Sequence, residues 1–132
     1  TTKRRSVYVP VFRNSGFEMF SVFDFANPNF TMGKRFSSTI PTQALFLMNS
    51  ELVHQHADSA ASLLLQEPAV NDEARVELAF RRTLGRRPVS DELALAMNFL
   101  RESGDTAQDD DAKAWAALQR SLFACVDFRF LR

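Results

Sequence analysis

The apolar positions divide the chain into two unlike stretches. From residue 41 onward they recur at intervals of three and four, the spacing of one helix face. Pro41 suits a first helical turn, with Thr39 ahead of it as a cap, and predicts a helix to about Met48. Ser50 is placed to cap a second helix to about Gln66, striped by Val53, Ala57, Ala60, Ala61 and Leu64 and ended by Pro68. Asn71 caps a third, with Asp72 and Glu73 at its positive dipole end. Its inward stripe is Val76, Ala79, Phe80, Thr83 and Leu84, with an outward Glu77–Arg81 pair and a stop at Gly85. Ser90 caps a fourth helix through Leu93, Ala96, Met97 and Leu100, ended by Gly104. After an acidic loop over 105–111, a fifth begins near Asp111. It turns Trp115, Leu118, Leu122, Cys125 and Val126 inward and is extended by Phe123 and Phe130.

Residues 1–40 lack this period. Ser6 to Val11 reads as a short extended segment limited by Pro10. Phe17 to Phe23 reads as a short helix after Gly16, and Asn27-Pro28-Asn29 and Gly33 read as breaks. The expected fold is mainly α: an irregular bundle of about five short helices over 41–132, with the irregular segment 1–40 packed on it as part of one domain. Eight of the thirteen phenylalanines fall before residue 50 (Phe12, Phe17, Phe20, Phe23, Phe25, Phe30, Phe36, Phe46). Leaving such rings in water is costly, so they are expected to be buried, either in the chain's own core or against a partner.

Composition changes this picture little. The chain has 132 residues, 45% of them apolar, enough for one core. The zero net charge hides an asymmetry: residues 1–50 carry six Lys/Arg and two acids, and residues 51–132 carry ten Lys/Arg and fourteen acids. A nucleic-acid binder is usually basic overall, which argues against that partner. The cluster Lys3, Arg4, Arg5, Arg13, Lys34 and Arg35, interleaved with Tyr8, Phe12 and Phe36, instead suits a docking face. No apolar run reaches the length of a membrane helix, so no membrane insertion is expected. The opening Thr-Thr-Lys-Arg-Arg is read as the start of a piece of something longer.

Chemistry-bearing residues are sparse. His54 and His56, two apart on a helix, point away from each other, whereas a helical metal pair needs a spacing of three or four. Cys125 sits on an apolar face as a small hydrophobe, and without Cys-x-x-Cys-His the chain attaches no c-type haem by itself. Asp109-Asp110-Asp111 lacks the alternating pattern and glycine of a calcium loop and reads as a solvated helix start. Arg81-Arg82 and Arg86-Arg87 flank Gly85, where cations favour a helix C-terminus. Nothing has nucleophile-elbow or phosphate-loop spacing. No catalytic residue, metal or cofactor is therefore assigned within the chain.

Several stretches resemble a known family. They are Arg5-Ser6-Val7-Tyr8-Val9-Pro10-Val11, Val22-Phe23-Asp24-Phe25 with Asn27-Pro28-Asn29, and Gly33-Lys34-Arg35. The run Thr39-Ile40-Pro41-Thr42-Gln43-Ala44-Leu45 with Asn49 is the most specific, and Arg82-Thr83-Leu84-Gly85-Arg86-Arg87-Pro88 with Glu92-Leu93 follows. Together with Ala114-Trp115 and the ending from Ser121, they are similar to the C-terminal part of planctomycete-specific domain one, a domain of unknown function. The resemblance implies a large exported parent in the periplasm or cell envelope, often with a c-type cytochrome domain, so that haem would lie elsewhere in the parent. It assigns no activity. Two motifs depart from the family's pattern: its Asn-Asn pair is Asn14-Ser15 here, and its Ser-Asn-Glu-Phe-like ending is Ala124-Cys125-Val126-Asp127-Phe128.

Three readings follow. The first is a non-catalytic helical interaction module that packs on the remaining domains of the parent through its Phe-rich, basic segment, the isolated chain self-associating. The second is half of an enzyme or redox site completed elsewhere, with Arg13, Asp24, Asn27, Arg35, Thr42, Gln43 and Asn49 as polar candidates. The third is an anion or glycan binder using Arg13, Lys34 and Arg35.

Overall fold

The computed structural model describes residues 6–13, 16–31, 33–34, 41–68, 71–103 and 108–129. Among them are seven α-helices and no strand: α1 (Glu18–Val22), α2 (Pro41–Asn49), α3 (Glu51–Gln66), α4 (Asp72–Leu84), α5 (Ser90–Ser103), α6 (Gln108–Ala124) and α7 (Val126–Arg129). The chain is mainly α, an irregular helical bundle. It divides into two compact units, 1–46 and 47–132, with the division inside α2.

The larger unit is built by the stripes. α3 packs chiefly on α6, which also meets α4 and α5. Ala57, Ala61 and Leu64 of α3 and Val76, Ala79 and Phe80 of α4 are buried, as are Ala96 and Leu100 of α5. Trp115, Leu118 and Leu122 of α6 complete the interior, with Trp115 only 1 % exposed. Small residues let the helices close in: Ala61, Ala79, Ala96, Ala114 and Ala116 all lie in this core. α4 is delimited as its sequence dictates. Asn71 Oδ1 accepts from the Ala74 N–H at 2.8 Å. Gly85 adopts φ 71°, a left-handed conformation that suits glycine, while its N–H donates to the Arg81 carbonyl.

Several local expectations give way to stronger partners. Ser90 is the first residue of α5 rather than its cap. The Val89 carbonyl accepts the first helical bond, and the Glu92 carboxylate reaches back to the Val89 N–H at 2.9 Å. Glu77 approaches Arg87 at 4.0 Å instead of pairing with Arg81. α6 starts at Gln108, before Asp111, and ends at Ala124. The break at Cys125 starts α7 in a new direction and leaves Val126 exposed, off the buried face of α6.

The smaller unit has few regular elements. Ser6–Tyr8 forms a 3-10 turn rather than an extended segment, closed by Val9 N–H donating to the Ser6 carbonyl. Asn27 Oδ1 accepts from the Asn29 N–H at 2.9 Å, the side-chain turn that the Asn-Pro-Asn signal predicts. Phe20 of α1 is buried, edge-on to Phe17 and stacked on Phe25. Phe23 meets Phe46 of α2 edge-on, with ring centroids 5.9 Å apart. Thr39 and Phe36 lie outside the described residues.

The expected burial of the phenylalanines is only partly realised. Phe20 is enclosed, and Phe23 and Phe46 are half-buried, but Phe12, Phe17, Phe25 and Phe30 are exposed. A five-residue helix offers one short face, which suffices to cover one ring.

Candidate functional site

Two constellations stand out, one in each unit. In the smaller unit, Phe12, Gly16, Ser21, Phe25, Ala26, Asn27, Pro28 and Asn29 line an open cleft of about 250 Å³. Phe12 is 64 % exposed and Phe25 42 %. Phe25 stacks on Phe20, with centroids 4.9 Å apart, and Phe20 meets Phe17 at 5.5 Å. Phe12 and Phe25 thus line the cleft, and Phe25 is linked through the buried Phe20 to the exposed Phe17. Among the described residues the lining carries no charged side chain; Arg13, beside Phe12 in the chain, and Lys34 are both exposed.

Of the polar candidates from the sequence, Asn27 lines this cleft, with its Oδ1 engaged by the Asn29 N–H. Gln43 is 3 % exposed, and its Nε2 donates to the Val22 carbonyl at 3.2 Å, tying α2 to the end of α1. Asp24 is half-buried just after α1 with φ 55°, a left-handed conformation uncommon for a non-glycine residue. Arg13 and Thr42 are exposed, as is Asn49 at the end of α2. Arg35 lies outside the described residues.

The second constellation centres on Arg86. Its Nη1 and Nη2 donate to the two Glu92 oxygens, both at 2.7 Å, a bidentate pair. Nε and Nη2 donate to Asp127 Oδ2 at 2.9 and 2.7 Å, and Nη1 also donates to the Arg87 carbonyl at 3.1 Å. The guanidinium lies 5.9 Å from the centroid of Phe80. Arg86 is thus not a cation serving the end of α4; it joins the α4–α5 turn to α5 and α7. The bonds to Glu92, and next those to Asp127, hold its guanidinium still more firmly protonated than usual. The hydrogen bonds from Arg86 in turn lower the Glu92 carboxyl to about 2.

A pH dependence follows. A carboxyl depressed in the folded state contributes stability that is fully present above its unfolded value, near 4.5, and is lost as pH falls toward 2. Arg86 and Glu92 are each about a third exposed, so solvent holds the gain to about 1 kcal/mol. Glu92→Gln should lower the denaturation midpoint at pH 7, and the gap from the parent chain should close between pH 5 and pH 2. A gap that stays constant over that range would remove the Arg86–Glu92 bond from the account.

Neighbouring residues of the same run are also engaged. Arg82 pairs with Glu67 at 2.7 Å, and Thr83 Oγ1 donates to Oε1 of the buried Gln119 at 3.1 Å. Sequence reasoning missed Gln119 because a glutamine next to Leu118 on a helix carries no sign of being inward. The Cys125 thiol donates to the Ser121 carbonyl at 3.3 Å, and burial pushes its pKa up, away from a nucleophilic thiolate. His54 Nε2 donates to the Met48 carbonyl at 2.6 Å, and His56 is exposed. Among the described residues, no three His, Cys, Asp or Glu side chains are grouped to hold a metal, and no helix is long and apolar enough to cross a membrane.

No curated protein and no solved structure matches the chain. A family model, described as PSD1, protein of unknown function (DUF1553), matches residues 1–100, which takes in both the aromatic cleft and the Arg82–Pro88 run. The chain belongs to the PSD1 (DUF1553) family.

Proposed function

We propose that this chain is a non-catalytic interaction module whose smaller unit presents an aromatic docking surface to another protein. The observation that carries the reading is an open cleft lined by the exposed Phe12 and Phe25, with Phe25 linked through the buried Phe20 to the exposed Phe17. Val7, Tyr8 and Phe30 of the same unit are exposed as well. An apolar patch of this kind usually marks an interface, since each ring gains about 1.5–3 kcal/mol on full burial. Arg13, next to Phe12 in the chain and exposed, offers a cation to an acidic partner. The Arg86 cluster supports the same reading from the other side. Its charges are spent on one another, as a framework requires, and are not held open for a substrate. In this reading the module serves an exported parent of the cell envelope, as the family resemblance implies.

The test is binding of a hydrophobic dye such as anilinonaphthalene sulfonate at high dilution. The chain should enhance its fluorescence, and Phe12→Ser with Phe25→Ser should abolish most of that signal while the helical circular dichroism is retained. Equal fluorescence in both proteins would overturn the reading.

A further inference from the structure

Within the larger unit, α7 is attached differently from the helices before it. None of its four residues is buried, and Val126 and Phe128 are exposed. It lies against α6 and α4. Arg86 holds it by donating from Nε and Nη2 to Asp127 Oδ2, and the ring of Phe128 meets that of Phe123 at 5.0 Å. The Arg86 and Asp127 side chains are 37 % and 27 % exposed, so salt in the surrounding water weakens their attraction. What α7 would leave behind is already satisfied without it. Arg86 keeps both Glu92 oxygens and the Arg87 carbonyl, and Glu92 keeps the Val89 N–H. The buried cluster of the bundle contains no residue of α7. A segment with few buried apolar contacts opens at a free energy well below that of the whole domain.

We propose that α7 is a salt-sensitive strap, which opens and closes on the bundle while α3 to α6 stay folded. Cys125, the single residue between α6 and α7, is the hinge. The two sides of the Arg86 guanidinium then have separate tasks. Its bidentate bond to Glu92 braces the α4–α5 turn in both states, and its Nε side latches the strap. Opening takes Phe128 off the ring of Phe123 and gives the Nε side of Arg86 to solvent, so the open form shows a cation and an aromatic ring that the closed form covers. Ionic strength sets the balance between the two forms.

The Nε proton of Arg86 is the probe, since among the bonds described it meets Asp127 alone. Its exchange with solvent is read by nitrogen-15 NMR on the whole chain at fixed pH, with the exposed Arg101 as internal reference. In low salt the Arg86 proton should exchange at least tenfold more slowly than that of Arg101, yet far faster than unfolding of the bundle allows. Raising salt from about 0.05 M to about 1 M should speed it several-fold relative to Arg101. The slowest backbone amides of α3 to α6 should not follow. Asp127→Ala should bring the Arg86 rate close to that of Arg101 and remove the response to salt, with the helical circular dichroism retained. An Arg86 proton that exchanges only in step with the core amides, or that ignores salt in the parent chain, overturns the strap. An unchanged rate in Asp127→Ala overturns it as well, because the latch would then lie elsewhere. Should that variant fail to fold, the salt series on the parent chain decides alone.

Discussion

Trp115→Ala should destabilise the larger unit by about 3–5 kcal/mol, a large fraction of the stability of a domain this size. Trp115 is the largest of the fully buried side chains, sitting on α6 where that helix meets α3. Its ring also carries Arg75 of α4 at 5.7 Å from its centroid, and Arg75 is bonded to Asp72. Truncation therefore removes the interior filling of α6 and the surface on which Arg75 rests. The flanking Ala114 and Ala116 carry only methyl groups, too short to move into the space. Glu77→Ala, half-buried and 4.0 Å from an exposed Arg87, is the matched control and should cost only a few tenths of a kcal/mol. Denaturant midpoints measured side by side check this. Equal shifts in the two variants would mean that α6 is not the centre of the bundle.

Arg86→Ala should cost about 1–3 kcal/mol, more than a surface ion pair, because it removes at once the bonds that one guanidinium makes to two carboxylates. Glu92 keeps only its bond from the Val89 N–H among those described above, and Asp127 loses the guanidinium that holds α7. The Phe123–Phe128 ring contact, at 5.0 Å, ties α7 to α6 as well, so α7 should loosen rather than unfold the bundle. Arg86→Lys should restore only part of the loss, since an ammonium cannot span both Glu92 oxygens and Asp127. Denaturation should read the stability change, and hydrogen exchange should read faster amide exchange confined to α7. Uniformly faster exchange across α3 to α6 would mean that Arg86 supports the whole core rather than joining α7 to it.

Helix periodicity was enough to read the bundle, because burial in α3 to α6 repeats a local pattern. Val76, Ala79 and Phe80 had to face inward once Asn71 and Gly85 had set the limits of α4. The Arg86 cluster was not legible in the same way. Its partners lie six and forty-one residues away, and nothing local separates an arginine at a helix end that meets solvent from one that meets Asp127. Gln119 was missed for a related reason, its partner Thr83 being thirty-six residues upstream. The aromatic surface was half legible. The density of phenylalanine before residue 50 signalled that rings must be covered by something. The count could not say that α1 encloses Phe20 and leaves Phe12 and Phe25 open, since that depends on how short the helix is. Of the polar candidates, Gln43 and Asn27 turned out to bond to nearby backbone, roles that residue type alone does not separate from ligand binding.

The central claim is that the aromatic rings of the smaller unit are exposed in the free chain and become covered on docking. Hydroxyl-radical footprinting resolved by residue measures this directly. In dilute protein, Phe12, Phe17 and Phe25 should oxidise at rates near that of exposed Tyr8 and far above that of Trp115, and those rates should fall as association proceeds. Rates for Phe12, Phe17 and Phe25 as low as that of Trp115 at every concentration would contradict the account, because the rings would then belong to an ordinary closed core.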